Sequence, residues 1–104
     1  MVEQTDNTKV YTIEELREII VPYIRRRGMA WARIFGSYAR GEVDGTSDID
    51  ILVDKGDNRF LVLGGLAEEV YAATGKHPDV IDISQLKPGQ FRDTVLREAI
   101  VGKL

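Results

Sequence analysis

Two hydrophobic rhythms alternate along this chain of 104 residues, and that alternation narrows the folds open to it more than any other feature. Ile13, Leu16, Ile20, Tyr23 and Ile24 recur at helical spacing. Thr12 and Glu15 stand at the separation of a capping box, so the spacing predicts a helix from about Thr12. Pro22 predicts a kink or early break in it, and Gly28 a stop after Arg25, Arg26 and Arg27. Residues 30–35 read as a strand, broken by Gly36-Ser37, where a short helix begins. Ile49, Ile51, Leu52 and Val53 mark a second strand. A helix over about 59–73 follows, capped by Asp57, with Phe60, Leu63, Leu66 and Val70 inward; Gly64-Gly65 works against it, and Gly75 ends it. Residues 79–83 form a third strand, and Pro88-Gly89 a turn. A last helix over about 90–101 buries Phe91, Val95, Leu96 and Ile100. Helices and strands in this order predict an α+β (α/β-like) fold, a small mixed sheet flanked by helices. Residues 1–10 read as a loose tail and 11–104 as one domain.

Composition removes whole classes of chemistry. The chain has no cysteine, which excludes thiol catalysis and iron–sulfur clusters, and its one histidine, His77, excludes a multi-histidine metal site within one chain. A metal would have to be held by carboxylates, which favours hard ions such as magnesium or manganese. The net charge of −3 argues against broad binding to a nucleic-acid backbone but leaves room for one nucleotide pocket. No apolar run is long enough to cross a membrane, and the polar start carries no signal pattern, so a cytoplasmic protein is expected.

The residues between 36 and 50 carry the chemistry. Glycine at a strand-to-helix turn lets a phosphate approach the backbone, and the amides at a helix start carry partial positive charge. Ser37 adds a hydroxyl and Arg40 a cation one turn later. In a strand, Asp48 and Asp50 would share one face while Ile49 and Ile51 entered the other. Two adjacent carboxylates repel unless a cation lies between them. An isolated Gly-Ser or Asp-x-Asp is commonplace; the two in succession beside apolar strands point to a metal–phosphate site.

Gly36-Ser37-Tyr38-Ala39-Arg40-Gly41, a loop, then Ser47-Asp48-Ile49-Asp50-Ile51-Leu52-Val53 resembles the signature of the DNA polymerase β-like nucleotidyltransferase superfamily. Within it, the chain is similar to the minimal nucleotidyltransferases (MNT), antitoxins often encoded beside HEPN-domain partners. The resemblance implies the superfamily's palm fold. It implies that Gly36 and Ser37 hold the terminal phosphates of a nucleotide, while Arg40 helps hold the site or neutralises phosphate charge. It implies that Asp48 and Asp50 bind catalytic magnesium, two ions, with manganese an alternative. A third carboxylate comes from the later strand; Asp79-Val80-Ile81 fits the family's wording better than Asp82, which is the fallback. The implied reaction transfers AMP from ATP to an acceptor, a HEPN-type partner protein.

Other features have plainer readings. His77 beside Pro78 reads as a turn residue, Arg25–Arg27 as a solvated helix end, and Glu68 and Glu69 as a wet helix face. Trp31 and Phe35 share a face of the first strand and read as core or interface, and Tyr38 as packing under the turn. Two functions compete with the active antitoxin: a catalytically silent module that covers a helical partner, and one subunit of a two-part antibiotic-type nucleotidyltransferase. The absence of a separate acceptor domain predicts a partner chain or a homo-oligomer in each case.

Overall fold

The computed structural model of the chain describes residues 9–104, apart from the side chains of residues 100–103. Most of the tail expected at 1–10 therefore lies outside the described residues. Helix α1 spans Ile13–Arg26. The Thr12 hydroxyl accepts from the Glu15 amide at 3.0 Å, and Glu15 accepts from the Thr12 amide at 2.9 Å, which closes the expected capping box. Pro22 does not break the helix. It lies on the exposed side, where water can serve the carbonyl its ring leaves without an amide.

Strand β1 spans Trp31–Phe35, the short helix α2 Ser37–Arg40, β2 Asp50–Asp54, α3 Leu61–Thr74, β3 Asp79–Asp82, α4 Gln90–Val101 and β4 Gly102–Lys103. The strands form one mixed sheet in the order β3-β2-β1-β4. β1 runs antiparallel to β2 and β4, while β2 and β3 are parallel and joined through α3. Among the described residues no helix is long and apolar enough to cross a membrane.

Alternation along the strands divides the core in two. Ala32 and Ile34 of β1, with Ile51 and Val53 of β2, face α1 and α3 and pack with Leu16, Ile20, Leu66 and Val70. Phe35 and Leu52 face the other way and pack with Val95, Ala99 and Leu86; Trp31 lies partly buried against them. Leu16, Ile20, Ile51 and Leu66 are fully enclosed, and each such side chain stabilises by roughly 1.5–3 kcal/mol.

Several expectations need correction. β2 begins at Asp50, so Asp48 stands in the preceding loop and not on the strand. β3 ends at Asp82, because Ile83 enters a single 3-10 turn capped by the Asp82 side chain. Helix α3 starts two residues later than expected, and its N-cap is Phe60 rather than Asp57, with no side-chain cap. Phe60 therefore precedes the first turn; it is exposed beneath the Lys55 ammonium, 4.6 Å from the ring centroid. Phe91 is 62% exposed and lines a hollow with Val80 and Ile81. Ile100 lies outside the described side chains.

Gly64 and Gly65 resolve differently. A Cβ on Gly64 would meet nothing within 4 Å, while one on Gly65 would lie 2.3 Å from the buried Tyr23 hydroxyl. That hydroxyl donates to the Val62 carbonyl at 2.9 Å and ties α1 to α3. Gly64→Ala should raise stability by about 0.5–1 kcal/mol through helix propensity. Gly65→Ala should lose that gain and fall below wild type as Tyr23 is displaced, both read from urea unfolding curves.

Candidate active site at the Gly36 corner

The chain turns sharply where β1 ends. Gly36 has φ 73° and ψ −150°, a conformation that only glycine adopts at little cost. It precedes α2, which closes after one turn at Gly41, itself at φ 74°. Tyr38 and Ala39 are buried and anchor the turn from below, as expected of Tyr38. The Tyr38 hydroxyl is buried with no hydrogen-bond partner among the described residues, and burial raises its pKa. Ser37 is half-buried at the corner.

The first residue of β2 meets this corner. Asp50 stands opposite Phe35 across the antiparallel pair and in register with Asp79 across the parallel pair. A Cβ on Gly36 would lie 2.2 Å from Asp50 Oδ2, so the missing side chain is what admits the carboxylate. Parity on β3 puts Asp79 on the face of Ile81, the face that Asp50 shares with Leu52. Burial, then the charges of Asp79, Asp48 and Glu98, push the Asp50 pKa up from 3.8 to about 6, with Arg40 opposing. This site holds more negative charge than its cation balances.

Asp82 belongs to the opposite parity and has a structural task. It is buried and accepts from the Lys55 amide at 2.7 Å and the Ser84 amide at 3.0 Å. Burial pushes its carboxyl up, but these bonds and that from the Ser84 hydroxyl outweigh it and hold it below the ordinary range.

Asp48 is exposed on the loop before β2. That loop is built internally: Asp44 accepts from the Thr46 amide at 2.8 Å and hydroxyl at 2.7 Å, and the Ser47 hydroxyl accepts from the Asp44 amide at 3.0 Å. The buried Lys76 reaches across to donate to the Gly45 carbonyl at 2.9 Å. The candidate residues line two separate hollows. One is lined by Gly36, Arg40, Asp50, Asp79, Phe91 and Glu98, and the other by Ser47, Asp48, Lys76 and His77. Among the described residues no three acidic or imidazole side chains already stand close enough to enclose an ion. Asp50 and Asp79 are the pair that the sheet brings together, and their unbalanced charge and hard oxygen donors fit a divalent cation such as magnesium.

Sequence reasoning missed Glu98. From α4, its side chain accepts from the Gly36 amide at 3.0 Å and from Arg40 Nη1 at 2.6 Å. Arg40 also donates from Nε to Glu42 at 2.9 Å, so its guanidinium lies between two carboxylates. A glutamate on an amphipathic helix carries no mark of a contact 62 positions away. His77 is exposed, stacks on Tyr71 at 4.0 Å between ring centroids and lines the hollow with Asp48, while Arg26 at the end of α1 pairs with Glu69 of α3.

Comparison with known proteins places this geometry. A family model described as polymerase beta, nucleotidyltransferase, matches residues 17–101. A relative from Methanocaldococcus jannaschii, provisionally named a protein adenylyltransferase, is 40% identical over 85% of this chain and 95% of its own length. The protein adenylyltransferase MntA of Thermococcus cleftensis is 38% identical over 86% of this chain and 94% of its own. A solved structure provisionally identified as a minimal nucleotidyltransferase is 34% identical, covers 86% of this chain and 94% of its own, and superposes with a TM-score of 0.72. A crystal structure of a toxin–antitoxin with AMP-PNP, 22% identical over 82% of each chain, shares the fold with a TM-score of 0.58.

The geometry makes two predictions. Gly36→Ala should destabilise the chain by about 1–3 kcal/mol, because it strains the backbone and displaces Asp50; urea unfolding measures this. Asp50 has a folded pKa of about 6 against an ordinary 3.8, so its ionisation opposes folding above that window. Wild-type stability should therefore fall as pH rises from about 4 through about 6. Asp50→Asn should be more stable than wild type at pH 7, with the gain disappearing toward pH 4, in urea titrations without divalent metal.

Proposed function

We propose that this chain, which belongs to the polymerase beta nucleotidyltransferase family, transfers AMP from ATP to a protein acceptor and acts as the antitoxin of a toxin–antitoxin pair. The observation that carries this reading is the Asp50–Asp79 pair, aligned across β2 and β3 beside the Gly36 corner with its charge uncompensated. The names of the two relatives, both protein adenylyltransferases, support a protein acceptor. The family resemblance read from the motif adds that the acceptor belongs to a HEPN-type partner.

The site residues divide the work. Gly36 and Ser37 seat the terminal phosphates, because the corner has no Cβ to obstruct them and Ser37 offers a hydroxyl. Asp50, Asp79 and, from the neighbouring loop, Asp48 hold magnesium. When bound, that metal neutralises phosphate charge and lowers the pKa of the attacking hydroxyl. The acceptor hydroxyl loses its proton to solvent and its oxygen bonds to the α-phosphorus. The bond from that phosphorus to the bridging oxygen breaks, and pyrophosphate leaves with its electron pair. Arg40 contributes from the rim of the same hollow, where Glu42 and Glu98 hold it. Such chemistry depends on positioning and charge rather than on bulk, so a scaffold of this size suffices.

The test combines the purified chain, its HEPN-type partner and ATP labelled at the α-phosphate. Label should reach the partner only with magnesium or manganese, and chelation should abolish transfer. Asp50→Asn and Asp79→Asn should each lower the rate on the order of 100-fold or more. Asp82→Asn should lower stability yet leave transfer near wild type, since its carboxylate caps a turn on the other face. A complex that forms without label above background would make the chain a silent binding module.

A further inference from the structure

We propose that Glu98 is the positioning residue of the Gly36 corner: its carboxylate sets the backbone against which Asp50 rests, and so sets the nucleotide seat. The inference rests on the nucleotidyltransferase reading. Tyr38 and Ala39 anchor the turn by burial, but the Gly36 amide finds its acceptor on α4. No side chain caps α2, which is a single turn closed by the Arg40 amide donating to the Gly36 carbonyl at 3.0 Å. The support comes from α4 instead. One oxygen of Glu98 takes the Gly36 amide at 3.0 Å and the other takes Arg40 Nη1 at 2.6 Å. One carboxylate therefore holds both ends of the turn, first residue and last. The Glu98 side chain is only 14% exposed, and a charge in that setting is held in place by its partners.

The consequence passes to the chemistry by contact. The Gly36 Cα abuts the Asp50 carboxylate so closely that a methyl group would not fit between them. Any rotation of Gly36 moves the surface on which Asp50 rests. Val95 and Ala99, on either side of Glu98, are buried against Phe35 and Leu52, so α4 is a rigid base for the tether. Glu98 touches no reacting atom in this role. Two other roles make different predictions: a plug, occupying donors that a phosphate would otherwise use, and an additional metal ligand.

The test uses the full chain without its partner. Glu98→Ala removes both bonds; Glu98→Gln keeps one carbonyl oxygen and serves one donor at a time. Amide exchange at Gly36, followed by NMR, should accelerate about ten-fold or more in Glu98→Ala, while Ile51–Val53 stay protected. The dissociation constant for magnesium–ATP should weaken about ten-fold, with Glu98→Gln between alanine and wild type on both measures. Tighter nucleotide binding by Glu98→Ala would identify a plug and overturn the proposal. Unchanged Gly36 exchange in Glu98→Ala would also overturn it, and weaker binding of magnesium ion alone in that case would make Glu98 a metal ligand instead. Should Glu98→Ala fail to fold, Glu98→Gln must still show faster exchange and weaker binding than wild type, or the proposal falls. If wild type binds no magnesium–ATP, the nucleotidyltransferase reading fails first; if wild type binds and both variants match it, only the role of Glu98 is lost.

Discussion

The carboxylate of Asp50 rests against the bare Cα of Gly36, and the rest of the site is arranged around that contact. It joins the end of β1 to the start of β2 at the point where the chain would otherwise need space for a side chain. The positive φ of Gly36 and the absence of its Cβ serve the same end: the first allows the turn, the second allows Asp50 to close over it. Every other candidate group is placed relative to this pair. Asp79 reaches it through the parallel register, and Glu98 through the amide of Gly36.

The two-sided core explains how a small domain can keep such a site. On the α1/α3 face, apolar side chains of β1 and β2 meet helices without interruption. The α4 face is apolar toward Leu52 and Phe35 and charged at its Asp50–Asp79 end. The Asp50–Asp79 charge therefore lies on the face away from the α1/α3 core, directly beside the Phe35 and Leu52 packing. Asp50, with its pKa raised to about 6, is the residue where the fold gives up stability to keep a carboxylate ready for a cation.

The chain's own order of letters made much of this legible. The capping box at Thr12, the Leu16–Ile20–Tyr23–Ile24 stripe and the glycine stop at Gly75 are local signals, and each marks what it should. Period-two alternation in β3 separates Asp79 from Asp82 without coordinates, and the wording of the motif favours Asp79. The misjudged aromatic residues and the proline share one cause. Phe60 and Phe91 fit a helical stripe, but burial depends on what lies opposite, and both are exposed. Pro22 looks like a break until its exposure is known.

Local sequence alone determined most of the elements, the glycine corner and the parity that separates Asp79 from Asp82, because backbone sterics and side-chain periods act over a few residues. Only the tertiary structure decided that Lys76 would hold the Gly45 loop and that Glu98 would hold Gly36 and Arg40. It also decided that Asp48 would stand off the strand, in a hollow separate from the one that Asp50 shares with Asp79. Those outcomes depend on how helices seat against a sheet, and seating is set by contacts between residues far apart in the chain.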